Sequence, residues 1–372
     1  MTHFAGALGS GNRLKLGTFS TNVEHGGFIT SLDGTLTTDW TQMRRIAELT
    51  DEMGLEAIIS VARWKGYGGR TNFSGPSFDT FCWAAGIAMA TERAQIFTTV
   101  HVPTIHPIVA AKQLTTIDHI SGGRMGLNVV GGWYRPELEM FGPSYFLEHD
   151  RRYDLAEEWL NVITRLWTSE AEFDFQGEFF QIKAGYSMPK PIQTPAPPIM
   201  NAGGSPRGQR FAAQHSDMIF IHVRDDTDLP SVKGQVDAVK TLAREEFGRD
   251  VQAWTQSYIV CRDTEREART FWNHYVRELG DFEAADNLMH FMGLESDVLG
   301  ADWERARDRF MSGWGGTEMV GTPAQIAERF EQLADAGLDG TVLLFPRWGE
   351  GLEQFGQEIL PLMEQAGLRK PL

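Results

Sequence analysis

Hydrophobic positions along the chain form short apolar runs that alternate with longer segments of helical periodicity. The runs are rich in β-branched and aromatic residues and lack regular polar alternation, which is typical of strands buried on both faces. These predicted strands cover residues 14–19, 57–61, 94–100, 125–130, 199–202, 217–222, 253–260 and 340–345. Helices are predicted between them, over residues 39–53, 107–120 and 150–167, and between Thr322 and Gly337.

Eight strands alternating with helices predict an α/β fold, the closed (β/α)₈ TIM barrel. An open doubly wound sheet is the alternative, but such a sheet usually carries a G-x-G-x-x-G turn after its first strand, which is missing here. The chain of 372 residues suits a single barrel domain over 1–372, although two ordinary domains would also fit that length. Insertions are expected at about 172–198 and 278–318, the second as a lid over the active site.

Composition and charge narrow the possible partners. A net charge of −16 repels phosphate backbones and anionic lipid, so neither nucleic acid nor a membrane is an expected partner. The only cysteines, Cys82 and Cys261, lie in apolar sequence and are expected in the core, which fits a reducing cytoplasm. Because motifs with metal-ligand spacing are missing, no metal site is predicted.

The strongest local signal for a ligand follows the fifth predicted strand. Gly203, Gly204 and Ser205 join that strand to a helix. Glycines allow a ligand to approach the backbone, and the free N–H groups of a helix start attract anions. Ser205 is interpreted either as a helix cap or as a donor to a phosphate oxygen. Arg152 and Tyr153 would supply the cationic and hydroxyl groups that an acidic protein needs to hold phosphate.

Three histidines follow predicted strands and invite acid–base roles, namely His101, His106 and His222. Structural roles for them remain open. A Ser–His–Asp arrangement is not evident in the sequence. The paired carboxylates that the sequence contains are a weak signal for glycosidase chemistry.

Six segments together resemble the luciferase-like flavin-dependent monooxygenases. They are 66–69 (GYGG), 117–124 (IDHISGGR), 128–133 (NVVGGW), 147–153 (LEHDRRY), 202–205 (AGGS) and 320–323 (VGTP). They cover nearly the whole chain in the expected order, which makes the set more specific than any one motif. Within the superfamily the chain is most similar to the pyrimidine monooxygenases and to the dimethylsulfone and alkanesulfonate monooxygenases.

The resemblance implies a two-component enzyme. Reduced FMN would be supplied by a separate NAD(P)H-dependent flavin reductase, O₂ would be the co-substrate, and the protein would form a homodimer or homotetramer. The implied cofactor-binding positions are Ala62, Arg63, Asn128, Glu137, Arg152, Tyr153, Gly203, Gly204 and Ser205, with the phosphate near Ser205.

The resemblance also implies a small pocket for O₂. Thr99 and Asn128 would orient oxygen there, and Ile59 and Trp133 would form apolar walls that exclude water. Whether oxygen reacts at N(5) or C(4a) of the flavin is left open. His101, His222 and Arg347 are predicted to face the substrate.

One departure from the pyrimidine branch concerns the substrate. That branch pairs isoleucine with lysine beside the flavin, whereas this chain has Ala62 and Arg63, so we expect a substrate other than uracil. The predicted reaction oxygenates a small organic molecule with cleavage of a C–S or C–N bond. Two alternatives remain, a deazaflavin-dependent oxidoreductase on the same barrel and a flavin-binding protein without turnover.

Overall fold

The computed structural model describes residues 6–223, 225–294 and 302–372. Its main feature is a closed parallel barrel, which confirms the predicted fold class. The barrel strands are β1 (Lys15–Phe19), β2 (Ala57–Ile59), β3 (Gln95–His101), β4 (Met125–Val130), β7 (Ile199–Asn201), β8 (Met218–Phe220), β9 (Gln252–Cys261) and β11 (Gly340–Leu344). Each of the eight runs predicted as strands overlaps one of them, and β3 and β9 extend beyond the predicted ends.

The long strand β9 closes the barrel. Its first half pairs with β8, and its other edge pairs with β11, which in turn pairs with β1. Where β8 ends, the second half of β9 pairs instead with an additional parallel strand, β10 (Thr317–Gly321). Because every pairing in the barrel is parallel, the carboxyl ends of all its strands lie at one rim.

Large apolar side chains fill the barrel interior. Ile59, Phe97 and Trp254 are fully buried and belong to one cluster. Glycines on neighbouring strands make room for the two aromatic rings, since a Cβ on Gly126 would lie 2.7 Å from the Phe97 ring and one on Gly340 would lie 2.5 Å from Trp254. The interior is therefore a packed core and not a channel.

Helices surround the barrel on its outer side. They are α1 (Trp40–Glu52), α2 (Thr80–Ala90), α3 (Pro107–Ile120), α4 (Arg135–Leu138), α5 (His149–Thr168), α6 (Pro206–His215), α7 (Leu229–Phe247), α8 (Glu265–Asn273), α9 (Phe282–Phe291), α10 (Trp303–Gly313), α11 (Pro323–Asp335), α12 (Trp348–Gln354) and α13 (Leu360–Gln365). The four predicted helices are present as α1, α3, α5 and α11. None of the helices in the described part of the chain is long and apolar enough to span a membrane.

Two segments extend the minimal barrel. Within 172–198, β5 (Phe173–Gln176) and β6 (Gln181–Gly185) form an antiparallel hairpin. Within 278–318 lie α9, α10 and the start of β10, while residues 295–301 of this predicted lid are outside the described residues.

The two cysteines differ in exposure. Cys261 is buried and Cys82 is exposed, and neither forms a disulfide. The expectation that both lie in the core is therefore wrong for Cys82, which occupies the outward side of the first turn of α2.

Candidate active site

The inward face of β3 carries the first polar residues above the packed interior. Side chains of a strand alternate between its two faces, so Phe97, Thr99 and His101 all point to the same side. Phe97 belongs to the barrel core, whereas Thr99 and His101 lie progressively nearer the rim. The inward face of β3 is therefore apolar at Phe97 and becomes polar at its last two inward positions, Thr99 and His101.

Thr99 and Asn128 are paired across β3 and β4. They face each other in the strand register, and Asn128 Nδ2 lies 3.0 Å from Thr99 Oγ1. Thr99 Oγ1 in turn donates to the carbonyl of Ser60, and its backbone N–H donates to Ser60 Oγ at 3.0 Å. The threonine hydroxyl donates its only proton to the carbonyl of Ser60, so it must accept the hydrogen bond from Asn128. This fixes the orientation of the Asn128 amide, with its nitrogen toward Thr99.

This orientation leaves a buried acceptor. Asn128 Oδ1 has no hydrogen-bond partner among the residues that the structure describes. A buried polar atom without a partner costs about 1–3 kcal/mol, so such an atom in a native site commonly serves a ligand. The acceptor belongs to the inward-facing pair with Thr99, above the apolar layer that includes Ile59.

A buried carboxylate, Glu137 of α4, joins two strand ends. Its Oε2 lies 3.4 Å from Arg63 Nη1 and 3.1 Å from His101 Nδ1. Its Oε1 accepts from the backbone N–H groups of Trp64 and, at 3.3 Å, Lys65. The loop after β2 and the end of β3 are therefore held by one side chain.

The charges of this cluster are buried together. The side chains of Arg63, His101 and Glu137 are at most 3% exposed. Burial alone would raise the pKa of Glu137, but the contact with His101 and the positive charge of Arg63 together hold that pKa below its usual range. The carboxylate is consequently ionised throughout the physiological pH range.

Aromatic rings enclose the Arg63 guanidinium. Its Cζ lies 5.0 Å from the centroid of Tyr67, 5.4 Å from Tyr134 and 5.6 Å from Trp133. Tyr67 and Trp133 are nearly parallel, with an interplanar angle of 13°. These rings exclude water from the cation and fix its position by cation–π contact. Arg63 Nε makes no hydrogen bond within the described ranges.

The turn after β7 is built around two close backbone approaches. Asn201 Oδ1 accepts from the N–H of Gly203 at 2.8 Å, and a Cβ on Gly203 would lie 2.7 Å from the backbone of Gly208. Ser205 is the N-cap of α6 and its hydroxyl accepts from the Gly208 N–H at 3.1 Å. A Cβ on Gly204 would meet only His222, at 4.0 Å, so the backbone there is open to a ligand.

Two residues of α5 reach this region. Tyr153 packs so closely on α6 that a Cβ on Gly208 would overlap its hydroxyl, and burial raises the pKa of Tyr153 although Ser205 hydrogen-bonds to it. Arg152 donates from Nη1 to the carbonyl of Gly132 at 2.8 Å, while its Nε lacks a partner in the described part of the chain. Burial lowers the pKa of Arg152, so an anion nearby would relieve an unfavourable environment.

The remaining predicted residues lie in three different settings. The side chain of His222 lies beside Gly204 and is exposed at the surface. Its pKa is nevertheless lowered, chiefly by desolvation from neighbouring protein atoms and also by the positive charge of Arg309. His106 caps α3, where its Nδ1 accepts from the N–H of Ile108 at 3.3 Å. Arg347 donates to the Asp33 carbonyl at 3.2 Å and lies over Phe271.

The second insertion packs on the loop that carries the aromatic rings. Asn287 Nδ2 donates to the carbonyl of Tyr67 at 2.8 Å, and the Asp281 carboxylate accepts from the N–H of Thr71 at 2.6 Å. Phe291 meets the edge of Tyr134 with ring centroids 4.9 Å apart. Helix α9 thus covers the outer side of the residues around Arg63.

The structure brings together most of the residues singled out from the sequence. Thr99 contacts Asn128, Glu137 contacts Arg63 and His101, and Tyr153 contacts the turn at Ser205. Their roles toward cofactor, oxygen and substrate stay predictions. No group of three or more His, Cys, Asp or Glu side chains that could hold a metal occurs in the part of the protein that is described.

Several supporting residues were missed from the sequence. Asn201 lies two residues before the first of two consecutive glycines, Gly203 and Gly204, which is a recognisable signal for an Asx turn. Ser60, Tyr67 and Tyr134 gave no such signal, because their roles depend on contacts between separate strand ends.

Comparison with known proteins agrees with this geometry. Residues 15–340 match the family model for luciferase-like monooxygenases. The chain is 30% identical over 359 residues to pyrimidine monooxygenase RutA of Enterobacter sp. (strain 638), covering 94% of this chain and 96% of that protein. It is 29% identical over 351 residues to an FMNH(2)-dependent dimethylsulfone monooxygenase of Pseudomonas putida, with coverage of 92% and 93%.

Solved structures show the same architecture. The long-chain alkane monooxygenase LadA superposes with a TM-score of 0.82 at 22% identity, covering 96% of this chain and 92% of that one. At this identity the likeness concerns the fold. The match over residues 15–340 and the 30% identity to pyrimidine monooxygenase RutA show that the chain belongs to the luciferase-like monooxygenase family.

Proposed function

We propose that this protein is a two-component monooxygenase that uses reduced FMN and O₂ to oxygenate a small organic molecule. A C–S or C–N bond of that molecule would be cleaved. The observation that carries this proposal is the buried pair of Asn128 and Thr99, with an unpartnered acceptor oxygen on Asn128 directly above the apolar barrel core. The relatives named as pyrimidine and FMNH(2)-dependent dimethylsulfone monooxygenases support the same reaction class.

The residues present fit a flavin mononucleotide. The ring system of a reduced flavin carries N–H groups, and the free Asn128 Oδ1 can accept a hydrogen bond from one of them. The phosphate of FMN suits the open turn at Gly204 and Ser205. Arg152 supplies a partly buried cation with a free Nε, and Tyr153 adds a hydroxyl beside Ser205. Ala62 and Arg63, at the end of β2, would line the ring edge.

Each protein group has a defined task in this proposal. When bound, reduced FMN supplies the electrons that activate O₂. Asn128 would orient the reacting oxygen and Thr99 would hold the Asn128 amide in place, while Ile59 and Trp133 would keep water from that place. Glu137 would hold Arg63 against the ring edge, because its negative charge attracts the positively charged guanidinium.

The second insertion would act as the lid. Its described part, α9, is already tied to the loop of Tyr67 through Asn287 and Asp281. A lid anchored beside the aromatic rings could exclude water from the site after substrate entry. Substrate would contact His101 and His222, which differ in burial and so could contact different parts of one molecule. Arg347 would take part only if its contacts with Asp33 and Phe271 rearrange.

The proposal is tested with purified protein, FMN, NADH and a separate flavin reductase. A panel of dimethylsulfone, methanesulfonate, N-methylacetamide and uracil is incubated with and without the protein, and products are identified by mass spectrometry. We expect protein-dependent, O₂-dependent cleavage of a C–S or C–N compound and little turnover of uracil. Binding of a deazaflavin in preference to FMN, or flavin binding without any oxygenated product, would support the two alternatives instead.

A further inference from the structure

His101 and Glu137 form a close, buried contact at the carboxyl end of β3. His101 is 3% exposed, and its Nδ1 lies 3.1 Å from Glu137 Oε2. That ring nitrogen has no aligned hydrogen bond within the described ranges, so the contact is close without being optimal. Catalytic hydrogen bonds often become aligned only when a ligand is bound.

The geometry determines which ring nitrogen is free to react. A carboxylate beside Nδ1 favours the tautomer with the proton on Nδ1, which leaves Nε2 as a proton acceptor. Because β3 directs His101 inward, two residues beyond Thr99, the imidazole lies next to the pair proposed to orient oxygen. The same carboxylate would stabilise the imidazolium once Nε2 has taken up a proton.

The surroundings of His101 contain few other charges. Glu137 of α4 contacts His101, and Arg63 after β2 contacts Glu137, so the negative and positive charges of these two residues offset each other. The phenols Tyr67 and Tyr134 stack on Arg63, and burial raises the pKa of both. Neither phenol titrates near neutrality, so neither is a candidate for proton exchange there.

We propose that His101 is the general base and then the general acid that breaks the C–S or C–N bond after oxygenation. This inference rests on the proposed function. Oxygenation of a carbon bonded to sulfur or nitrogen gives a hydroxylated carbon. His101 Nε2 removes the proton of that hydroxyl, the O–H electron pair forms a C=O bond, and the C–S or C–N bond breaks with its electrons on the departing atom. The imidazolium returns the proton to the departing group, so no further oxidant or reductant is needed.

His101→Asn removes only the reactive nitrogen, since the asparagine amide can replace Nδ1 as a donor to Glu137. With the panel compound that the wild type turns over fastest, single-turnover mixing follows two signals. Flavin reoxidation, read at 450 nm, should change less than about twofold in H101N. Formation of the cleaved product should fall about 10²-fold or more, and its rise with pH should disappear.

His106→Asn is the matched control. His106 caps α3 without contact to Glu137, and asparagine is also a good N-cap, so H106N should retain both signals and the pH dependence. Glu137→Gln should keep the shape of the pair but slow product formation about tenfold or more.

Nitrogen-15 NMR of the histidine-labelled protein gives a reading without substrate. Neutral His101 should carry its proton on Nδ1 in the wild type. A proton on Nε2, or a pH-dependent product rate that survives in H101N, would overturn the role of His101 while the proposed function stands. Failure of the wild-type protein to cleave any panel compound would instead contradict the proposed function itself.

Discussion

Asn128 donates a hydrogen bond of 3.0 Å to Thr99 across two neighbouring barrel strands, and this bond orients the amide so that its oxygen is free. The relationship follows from the parallel register, which places Asn128 opposite Thr99, and from Ser60, which takes the threonine proton. The site is thus prepared by backbone pairing before any ligand binds. Preorganised donors and acceptors of this kind contribute strongly to rate acceleration.

Asn128→Ala should lower the rate of substrate oxygenation about 10²-fold, because the group that orients the reacting oxygen is lost. Thr99→Val should have a similar effect, since the amide then loses the acceptor that orients it. Thr98→Val is the control on the opposite face of β3. The Thr98 hydroxyl is buried without a partner in the described structure, so T98V should retain activity and equal or exceed the wild type in thermal stability. Stopped-flow kinetics and melting curves measure both.

Glu137→Ala should destabilise the fold by about 3–5 kcal/mol, since it leaves the buried Arg63 without its counter-charge. Glu139→Ala, in the same segment, breaks an exposed pair with Arg135 and should lower the stability far less, because solvent screens that pair. Urea unfolding compares the two variants. Equal losses would contradict the assignment of Glu137 as the anchor of this cluster.

The same carboxylate predicts a direction of pH dependence. The pKa of Glu137 is lowered in the folded protein, so its stabilising effect is complete above the unfolded value of about 4 and is lost as pH falls through the folded value. The stability difference between the wild type and Glu137→Ala should therefore shrink on acidification. A difference that grows as the pH falls below about 4 would show that the carboxylate is not ionised in the native state.

Ser205→Ala should weaken binding of FMN about tenfold or more, because a hydrogen bond to a charged phosphate is worth about 1.5–3 kcal/mol. Riboflavin has no phosphate, and its affinity should change much less. Thr322→Ala removes an equivalent N-cap from α11 and should leave binding of both flavins unchanged. Fluorescence titration measures all six affinities, and an equal loss for riboflavin would mean that Ser205 acts only as a cap.

Gly208→Ala should weaken FMN binding and reduce stability by about 1–3 kcal/mol, because the added Cβ would displace the Tyr153 hydroxyl. Gly234→Ala, in the interior of α7 with nothing within 4 Å, should stabilise the protein by up to about 1 kcal/mol. Thermal unfolding with and without FMN distinguishes the two effects. Tight FMN binding by G208A would show that Tyr153 is not part of the site.

The fold could be predicted because its strands are continuous apolar runs. A barrel strand buried on both faces has no polar alternation, and each of the eight runs overlaps a strand. Helix α2 was not predicted, because its sequence is apolar on nearly all sides and lacks amphipathic periodicity. Because the sequence around Cys82 is apolar, this residue was wrongly predicted to lie in the core.

The candidate site was only partly predictable. Thr99 and Asn128 lie near the ends of consecutive strands, so their adjacency follows from the fold. The contact of Glu137 with His101 does not, because it depends on how the loop after β4 returns over the barrel. The aromatic rings around Arg63 come from two separate loops, and local sequence patterns carry no information on such contacts.

Oxygen-isotope labelling tests the central claim most directly. The protein is mixed anaerobically with chemically reduced FMN and the panel of small organic molecules, and ¹⁸O₂ is then admitted. The carbonyl product is trapped at once by borohydride reduction, because its oxygen would otherwise exchange with water. The account predicts that the trapped product carries one ¹⁸O atom per molecule and that no more than one product forms per reduced FMN consumed. Product without ¹⁸O, or reoxidation of FMN that yields only hydrogen peroxide with every compound, would contradict it.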